Sequence, residues 1–354
     1  MSGHVLVARL DNDGDVLLAG PAVRAVAAGG RRVSFLCGPR GESAARLLPG
    51  VDDVIVHRAP WIDADAAPVS HADTDALVHA VAARGIDEAL VLTSFHQSPL
   101  PLALLLRLAG VSTIAGTSPD YPGSLLDVRH HAPDDLHEVE RSLSLVATLG
   151  HRLPLEDDGR LRVRRPARGR LDSTLAGWTA EGPYVVVHPG ASVPARAWGA
   201  RPSARLVDEL AEDGRRVAVT GTASEAALTA FAAGPAREGV LDLGGATDLA
   251  ELAEVLAGAE ALVVGNTGPA HLAAALGTPV VSLFAPTVPA VRWRPWRVAH
   301  ELLGASVPCA GCRARECPVP GHPCLAGVSV DEVVAAVDRL APRGLSRRPE
   351  VAVA

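Results

Sequence analysis

Three segments of the sequence combine glycine with polar side chains that could do chemistry. The first is LDNDGDVLLAGPAVRAV, in which Gly14 allows a close backbone approach and Asp15 supplies a carboxylate. We predict Asp15 at a helix N-terminus, where the macrodipole favours negative charge, so one interpretation is a helix cap. The other is a general base that takes the proton from an acceptor hydroxyl as the hydroxyl attacks a sugar carbon.

The second segment, VVVHPGASVPARAW, places Ser192 and Arg196 after a predicted strand. A hydroxyl group, backbone amides and a guanidinium together suit a pyrophosphate, and Arg196 would neutralise charge on a departing diphosphate. The alternative is a surface loop that carries a solvated arginine.

The third segment is ALVVGNTGPAHLAAALGTPVVSLFAPT. A predicted buried strand leads through Asn266 and Thr267 to a helix N-terminus, where free amides and the macrodipole bind phosphate. Thr267 suits the N-cap position, and His271 lies four residues later on the same helical face. A single helical histidine is more often structural, but the combination is more specific than any of its members.

The elements that must position these residues alternate between strand and helix. The alternation predicts an α/β protein with one doubly wound domain over residues 1–150 and a second over 183–328. Residues 151–182, rich in Arg, Asp, Pro and Gly, are predicted as the interdomain linker. The remaining residues, 329–354, begin with an amphipathic helix whose predicted N-cap is Ser329.

Composition restricts the class of protein and of partner. A chain of 354 residues exceeds the size that one hydrophobic core usually serves, and its formal net charge of −7 argues against nucleic acid as a partner. The apolar runs at residues 5–8 and 100–106 are too short for a signal peptide or a membrane span. We therefore predict a cytoplasmic protein with at most peripheral membrane contact.

A group of arginines lies in the predicted linker. It could contact an anionic acceptor or a membrane surface, but a solvated linker is the favoured interpretation. The group comprises Arg160, Arg162, Arg164, Arg165, Arg168 and Arg170.

Taken together, the three segments resemble glycosyltransferase family 9, whose best-known members are the ADP-heptose:lipopolysaccharide heptosyltransferases. The resemblance covers nearly the whole chain, from VLVARLDNDGDVLLAGPAVRAV to a cysteine-rich segment near the C-terminus. It implies the GT-B fold, in which two Rossmann-like domains face a cleft. It also implies a monomer that transfers heptose from ADP-heptose, with inversion, to a glycan, lipid-linked or small-molecule acceptor.

The resemblance also implies roles for individual residues. Asp15 matches the family's catalytic carboxylate, and Arg196 occupies the place of a basic residue, often lysine, that stabilises the leaving diphosphate. Glu225 matches a carboxylate that commonly holds the nucleotide ribose, although a first-turn helix charge is an equal alternative. The donor side comprises Ser192, Glu225, Asn266, Thr267, Gly268, Pro269 and His271, and the acceptor side comprises Arg9, Asn12 and Gly14.

One position departs from the family pattern. Many members carry aspartate before the Thr/Ser-Gly pair, where this chain has Asn266. An amide keeps hydrogen-bonding capacity but loses the charge, which leaves two alternatives to ADP-heptose transfer. One is a transferase that uses another nucleotide sugar to build a secondary metabolite or a cell-surface glycan. The other is a non-catalytic nucleotide-binding protein, against which the presence of Asp15 and Arg196 argues.

The implied mechanism requires no metal ion and no cofactor beyond the nucleotide-sugar donor. Metal-dependent GT-A transferases use an Asp-x-Asp pair after a strand, and two sequences match that pattern: Asp11-Asn12-Asp13 and Asp63-Ala64-Asp65. The first belongs to the family's own loop, and no predicted strand precedes the second. We therefore predict no metal at either pair.

The segment CAGCRARECPVPGHPC contains Cys309, Cys312, Cys317 and Cys324 within sixteen residues, with His322 beside them. Four thiolates at this spacing could bind zinc. A cytosolic location disfavours disulfides, and reduced structural thiols are the favoured interpretation. Cys37 lies far away in sequence and is predicted as a buried thiol.

Overall fold

The structure is a computed structural model that describes residues 3–63, 67–94, 97–164 and 171–343. The chain divides into two compact units, Met1–Arg164 and Arg165–Ala354. Each unit contains its own parallel six-stranded sheet. Within the described residues, no helix combines the length and the apolar character that crossing a membrane would require.

The first unit is a doubly wound sheet with strand order β3-β2-β1-β4-β5-β6. Its strands are β1 His4–Arg9, β2 Arg32–Cys37, β3 Asp53–Val56, β4 Glu88–Val91, β5 Thr113–Thr117 and β6 Val128–His130. Its helices are α1 Asp13–Leu18, α2 Gly20–Ala27, α3 Glu42–Leu47, α4 His71–Ala82, α5 Leu100–Leu108 and α6 Glu138–Ala147. All six residues of β1 are buried, as expected for a central parallel strand covered on both faces.

The second unit repeats this topology with strand order β12-β11-β10-β7-β8-β9. Its strands are β7 Tyr184–His188, β8 Arg216–Gly221, β9 Val240–Gly244, β10 Ala261–Gly265, β11 Val280–Leu283 and β12 His300–Leu303. Its helices are α7 Ser173–Ala180, α8 Ala200–Glu212, α9 Ala226–Ala233, α10 Leu249–Gly258, α11 Gly268–Leu276, α12 Ala290–Trp293, α13 Pro323–Ala326 and α14 Val330–Leu340. The predicted cap of α14 is confirmed, because Ser329 and Glu332 form a capping box.

In both sheets the chain reverses its direction of travel between two central strands. β1 pairs in parallel with β2 and β4, and β10 pairs in parallel with β7 and β11. The reversals therefore lie between β1 and β4 and between β7 and β10. Open α/β sheets bind ligands at the carboxyl ends of strands beside such reversals.

The structure contains several elements that were not predicted from the sequence. Strands β5, β6 and β12 were not predicted; β6 and β12 are short edge strands without a fully buried position to mark them. The four-residue helices α12 and α13 were not predicted either. The predicted first helix is two helices, α1 and α2. At their junction the Ala19 amide bonds to the Val16 carbonyl at 3.0 Å, and Pro21 has no amide with which to continue the helical pattern.

The first part of the predicted linker packs on the first unit. Arg24 and Asp157 form an ion pair of 2.7 Å with both side chains about nine-tenths buried, and the Arg164 amide bonds to the Leu47 carbonyl at 2.7 Å. Arg160 and Arg162 each lie 3.2 Å from Asp158, so these members of the arginine group are paired. The other three linker arginines, Arg165, Arg168 and Arg170, lie outside the described residues.

Candidate functional site

A buried arginine organises the carboxyl ends of β1 and β4 in the first unit. Arg9 is the last residue of β1 and is 2% exposed. Its Nη2 donates to Asp15 Oδ1 at 2.8 Å, and its Nε lies 2.7 Å from Asp11 Oδ2 in an ion pair. Glu138, the first residue of α6, places Oε2 3.4 Å from both Nη1 and Nη2. One guanidinium thus contacts three carboxylates.

Two neutral side chains after β4 complete this arrangement. Ser94 Oγ accepts from Arg9 Nη2 at 2.7 Å, and the Ser94 amide donates to Gln97 Oε1 at 2.9 Å. The Gln97 amide in turn donates to Asp11 Oδ1. We call Arg9, Asp11, Asp15, Ser94 and Glu138 the Arg9 cluster.

The charges of the cluster shift its protonation equilibria. Burial raises the pKa of Asp11 to about 6, Asp15 and Glu138 act in the same direction, and Arg9 opposes the rise. Burial alone would lower the pKa of Arg9, but the three carboxylates outweigh it and raise that pKa above its ordinary value. Arg9 is therefore permanently charged, and Asp11 is the member poised to hold a proton near pH 6.

The loop before Asp15 is held by its own contacts. Helix α1 begins at Asp13, and its N-cap residue, Asn12, makes no side-chain cap hydrogen bond. Gly14 is buried, and Asp13 Oδ1 accepts from the Ala44 amide at 3.0 Å. Asp15 lies in the first turn of α1 with its side chain 22% exposed, so it keeps access to solvent while bonded to Arg9.

The two Asp-x-Asp pairs are occupied by protein partners wherever they are described. Asp11 contacts Arg9, and Asp13 accepts from a backbone amide. Asp63 pairs with Arg40 at 2.7 Å and with Arg58 at 3.1 Å, while Asp65 lies outside the described residues.

In the second unit, the predicted donor residues follow three neighbouring strands, β10, β7 and β8. The loop after β7 contains a short 3₁₀ helix, Pro194–Arg196, and Arg196 Nε donates to Thr287 Oγ1 at 3.3 Å. Thr287 follows β11 and is 4% exposed. Gly265 ends β10, and a Cβ there would lie 2.7 Å from the Arg196 carbonyl oxygen. Glycine at this position is what lets the arginine loop approach the strand end.

The helix that follows β10 begins at the predicted phosphate site. Thr267 is the N-cap residue of α11 in extended conformation, and its side chain makes no cap hydrogen bond. Gly268 and Pro269 form the first turn, and His271 lies in the next turn at 5% exposure. The predicted N-cap position is confirmed. The hydroxyl group of Thr267 is left available to a ligand rather than used to cap the helix.

Asn266 is a buried amide without a hydrogen-bond partner in the described part of the chain. It is 5% exposed, and neither its Oδ1 nor its Nδ2 bonds to any residue that the structure describes. An unpaired buried amide costs free energy, on the order of 1–3 kcal/mol, unless a ligand or water satisfies it. The position that departs from the family pattern is thus also one that a bound ligand would stabilise.

Glu225 contacts both its own helix start and the loop after β7. Its Oε2 accepts from the Thr222 amide and hydroxyl at 2.8 Å each, in a capping box, so the helix-charge interpretation has a structural basis. The same oxygen lies 4.0 Å from His188 Nε2, and burial lowers the pKa of that histidine while Glu225 opposes the change. A Cβ on Gly190 would lie 2.0 Å from Glu225 Oε1. Ser192, further along this loop, is exposed.

The cysteine segment packs against the loops that carry Arg196 and Thr287. The Ala195 amide donates to the Arg315 carbonyl at 2.9 Å, and His322 Nε2 lies 3.0 Å from the Ala195 carbonyl. The Arg313 amide donates to the Thr287 carbonyl at 3.0 Å. The segment therefore holds the loop residue next to Arg196 and the partner of Arg196, Thr287.

All five cysteines are free thiols in the structure. Four of them line a small cavity of about 20 Å³ together with His322: Cys309, Cys312, Cys317 and Cys324. Burial raises the pKa of Cys324, and the neighbouring cysteines add to the rise. Among the described residues, no group of three potential ligands has an arrangement suited to a metal ion. Cys37 is confirmed as a buried thiol, and burial raises its pKa to about 12.

Several residues of these sites were not predicted from the sequence. Three of them lie far from Asp15 in the sequence: Glu138, Ser94 and Gln97. Thr287 ends the third segment, but nothing in that segment indicates that it bonds to Arg196. The available signal for Glu138 was the sequence HEVE at residues 137–140. It is typical of a helix start and does not indicate that Glu138 faces inward.

Comparison with known proteins agrees with these features. Residues 75–322 match the model for glycosyltransferase family 9 (heptosyltransferase). Lipopolysaccharide heptosyltransferase 1 of Pseudomonas aeruginosa is 32% identical over 240 residues, which is 66% of this chain and 64% of that enzyme. Lipopolysaccharide heptosyltransferase 3 of Escherichia coli K12 is 30% identical over 171 residues, 47% of this chain and 49% of that enzyme. The aligned regions thus span about half to two thirds of these relatives.

Solved structures show the same fold. The E. coli ADP-heptose lipopolysaccharide heptosyltransferase II matches with a TM-score of 0.72 and 20% identity, covering 96% of this chain and 98% of that chain. The E. coli heptosyltransferase WaaC with ADP matches with a TM-score of 0.67 and 21% identity, covering 96% and 99%. The two doubly wound units are those of the predicted GT-B fold, which is thereby confirmed. Because the family model matches more than half of this chain, the chain belongs to glycosyltransferase family 9.

Proposed function

We propose that this chain is an inverting glycosyltransferase that transfers heptose from ADP-heptose to a hydroxyl group of a glycan acceptor. The observation that carries the proposal is that this family 9 chain retains Asp15 as a partly exposed carboxylate held by a buried arginine. A general base needs that combination of access and fixed orientation. The alternative of a non-catalytic nucleotide-binding protein offers no reason for it.

The proposed reaction is a single displacement. Asp15 takes the proton of the acceptor hydroxyl while that oxygen forms a bond to the anomeric carbon of the donor sugar. The bond from this carbon to the diphosphate oxygen breaks from the opposite face, so the configuration inverts. The negative charge that appears on the leaving diphosphate is met by Arg196 and by the free amides at the start of α11.

The donor is proposed to bind at the carboxyl ends of the central strands of the second unit. Ser192, Thr267, Gly268 and Pro269 would contact the diphosphate, and Glu225 would contact the ribose, close to its capping contacts with Thr222. A ligand hydroxyl would satisfy the unpaired Asn266 amide, which supports contact with the donor sugar. His271 is assigned to the same side of the site. No step of this scheme requires a metal ion, and a monomer suffices for it.

A donor panel tests the substrate. ADP-heptose, other ADP-sugars, UDP-sugars and GDP-sugars are compared by calorimetric binding, by transfer to a lipopolysaccharide-core acceptor and by donor hydrolysis. We expect the tightest binding and the fastest turnover with ADP-heptose. Stronger binding of a UDP-sugar or GDP-sugar would instead favour the second candidate, a family 9 transferase with another donor, which the neutral Asn266 allows.

Two variants test the chemistry. Asp15→Asn keeps the shape of the side chain but removes the base, so kcat should fall by about 10²–10⁴ while ADP binding stays within about twofold. Arg196→Ala should weaken ADP binding by about 10- to 100-fold, because a charged contact to the diphosphate is lost. Arg205→Ala removes an exposed arginine of the same unit and is the matched control. Full activity of Asp15→Asn would disprove the assigned base.

A further inference from the structure

Glu138 is a buried carboxylate that none of the motif assignments explains. It begins α6, is 2% exposed and directs its carboxylate inward to Arg9. Carboxylates are almost never fully buried unless they are paired, and the first turn of a helix offers Glu138 no need to face inward. Its position is therefore a feature of the Arg9 cluster rather than of the helix.

The cluster has more negative than positive charge at its centre. Arg9 contacts Asp11, Asp15 and Glu138, while Arg141 lies 3.6 Å from the other oxygen of Glu138, Oε1. A single guanidinium shared by three carboxylates holds each less strongly than it would hold one. Any change in one carboxylate therefore changes how firmly Arg9 holds the other two.

We propose that Arg9 and Glu138 are positioning residues that set the orientation of Asp15 and the balance of charge around it. This inference rests on the proposed role of Asp15 as the base. Arg9 fixes Asp15 Oδ1 through Nη2, and Glu138 binds the same Nη2 and its neighbour Nη1. Arg9 is 2% exposed and is held by three carboxylates, which restricts the positions that its guanidinium can take.

The groups that face this network come from each element packed around it. β1 contributes Arg9, the following loop contributes Asp11, and α6 contributes Glu138 and Arg141. Of the segment after β4, the described residues Ser94 and Gln97 contribute neutral groups. Glu138 is an ionisable member that can be neutralised without substituting either Asp15 or Arg9.

The test measures kcat and KM against pH for Glu138→Gln. Neutral glutamine leaves Arg9 to Asp11 and Asp15, which favours the ionised base. We expect the acidic limb of the kcat profile to move down by about half to one pH unit, with kcat about threefold to tenfold lower because the base is weaker. KM for the donor should stay within about twofold, since donor residues lie in the other unit.

Variants of Arg9 give the opposite shift. Arg9→Met leaves Asp15 beside two uncompensated carboxylates, so the acidic limb should move up by more than one unit. Arg9→Lys keeps the positive charge but loses the planar, multidentate guanidinium. The acidic limb of its kcat profile should therefore lie closer to that of wild type than the limb of Arg9→Met does, while kcat stays reduced. Glu140→Gln is the matched control, because this exposed residue of the same helix turn only caps the His137 amide, which glutamine can also do.

A measurement without substrate separates this inference from the proposed function. Thermal unfolding of Glu138→Gln, Asp15→Asn and the double variant at pH 8 gives their interaction. Coupling through Arg9 makes the effects non-additive, and purely additive effects would overturn the network. Coupled stabilities without any sugar transfer would refute the function but keep the network. If the wild-type protein transfers sugar and the kcat profile of Glu138→Gln against pH equals that of wild type, the positioning role is refuted.

Discussion

Asp11 provides a direct test of the electrostatics of the Arg9 cluster, through the substitution Asp11→Asn. Its pKa is about 6 in the folded protein against an ordinary value of 3.8. A carboxyl group whose pKa is raised by folding binds its proton more tightly when folded. Its contribution to stability is therefore fully present below about pH 4 and is lost as the pH rises through about 6.

The size of the effect follows from that difference. About two pH units at about 1.4 kcal/mol each give a penalty on the order of 1–3 kcal/mol above pH 7. Asparagine resembles the protonated acid, and its carbonyl still accepts the Gln97 hydrogen bond. Asp11→Asn should therefore stabilise the first unit at pH 8 and leave it nearly unchanged at pH 4.

The assay is calorimetric unfolding of the two proteins at pH 4, 6 and 8, following the transition of the first unit. We expect the gain in stability to appear between pH 4 and 7 and then to level off. Asp135→Asn, at an exposed position of the same unit, is the control and should change stability little at any pH. A variant that is less stable than wild type at pH 8 would refute the reasoning, because the net effect of the ionised carboxylate would then be favourable.

Two further predictions concern the second unit. Gly265→Ala places a Cβ 2.7 Å from the Arg196 carbonyl oxygen, so the arginine loop must move; we expect about tenfold or weaker ADP binding by calorimetry and a lower melting temperature. Gly177→Ala, in α7 with open space around it, should be neutral or stabilising by up to about 1 kcal/mol, and equal effects of the two would contradict the steric argument. For the cysteine segment, no three potential ligands among the described residues are arranged to hold a metal ion, so chelator should neither lower the melting temperature nor release zinc; stoichiometric zinc in the purified protein would overturn this.

Much of the fold could be predicted because it depends on local patterns. Buried aliphatic strands alternating with amphipathic helices predict doubly wound sheets, and both sheets are present. The strands β5, β6 and β12 were not predicted, since their pairing depends on neighbours that are distant in sequence. The break between α1 and α2 was signalled by Pro21, which lies inside the predicted helix and removes a hydrogen-bond donor there, but the prediction did not use this signal.

The candidate site also has a part that the sequence predicts and a part that only the structure shows. The sequence by itself predicted the candidate residues in the loops and helix starts that follow central strands, namely Asp15, Arg196 and Thr267, because glycine, helix starts and strand ends are local features. It also determined membership of family 9. Only the tertiary structure decided that Glu138 and Asp11 share Arg9 with Asp15, that Thr287 holds Arg196, and that the Asn266 amide is buried without a partner. The physical reason is that charge pairing and burial depend on which elements meet in space, which no local sequence pattern records.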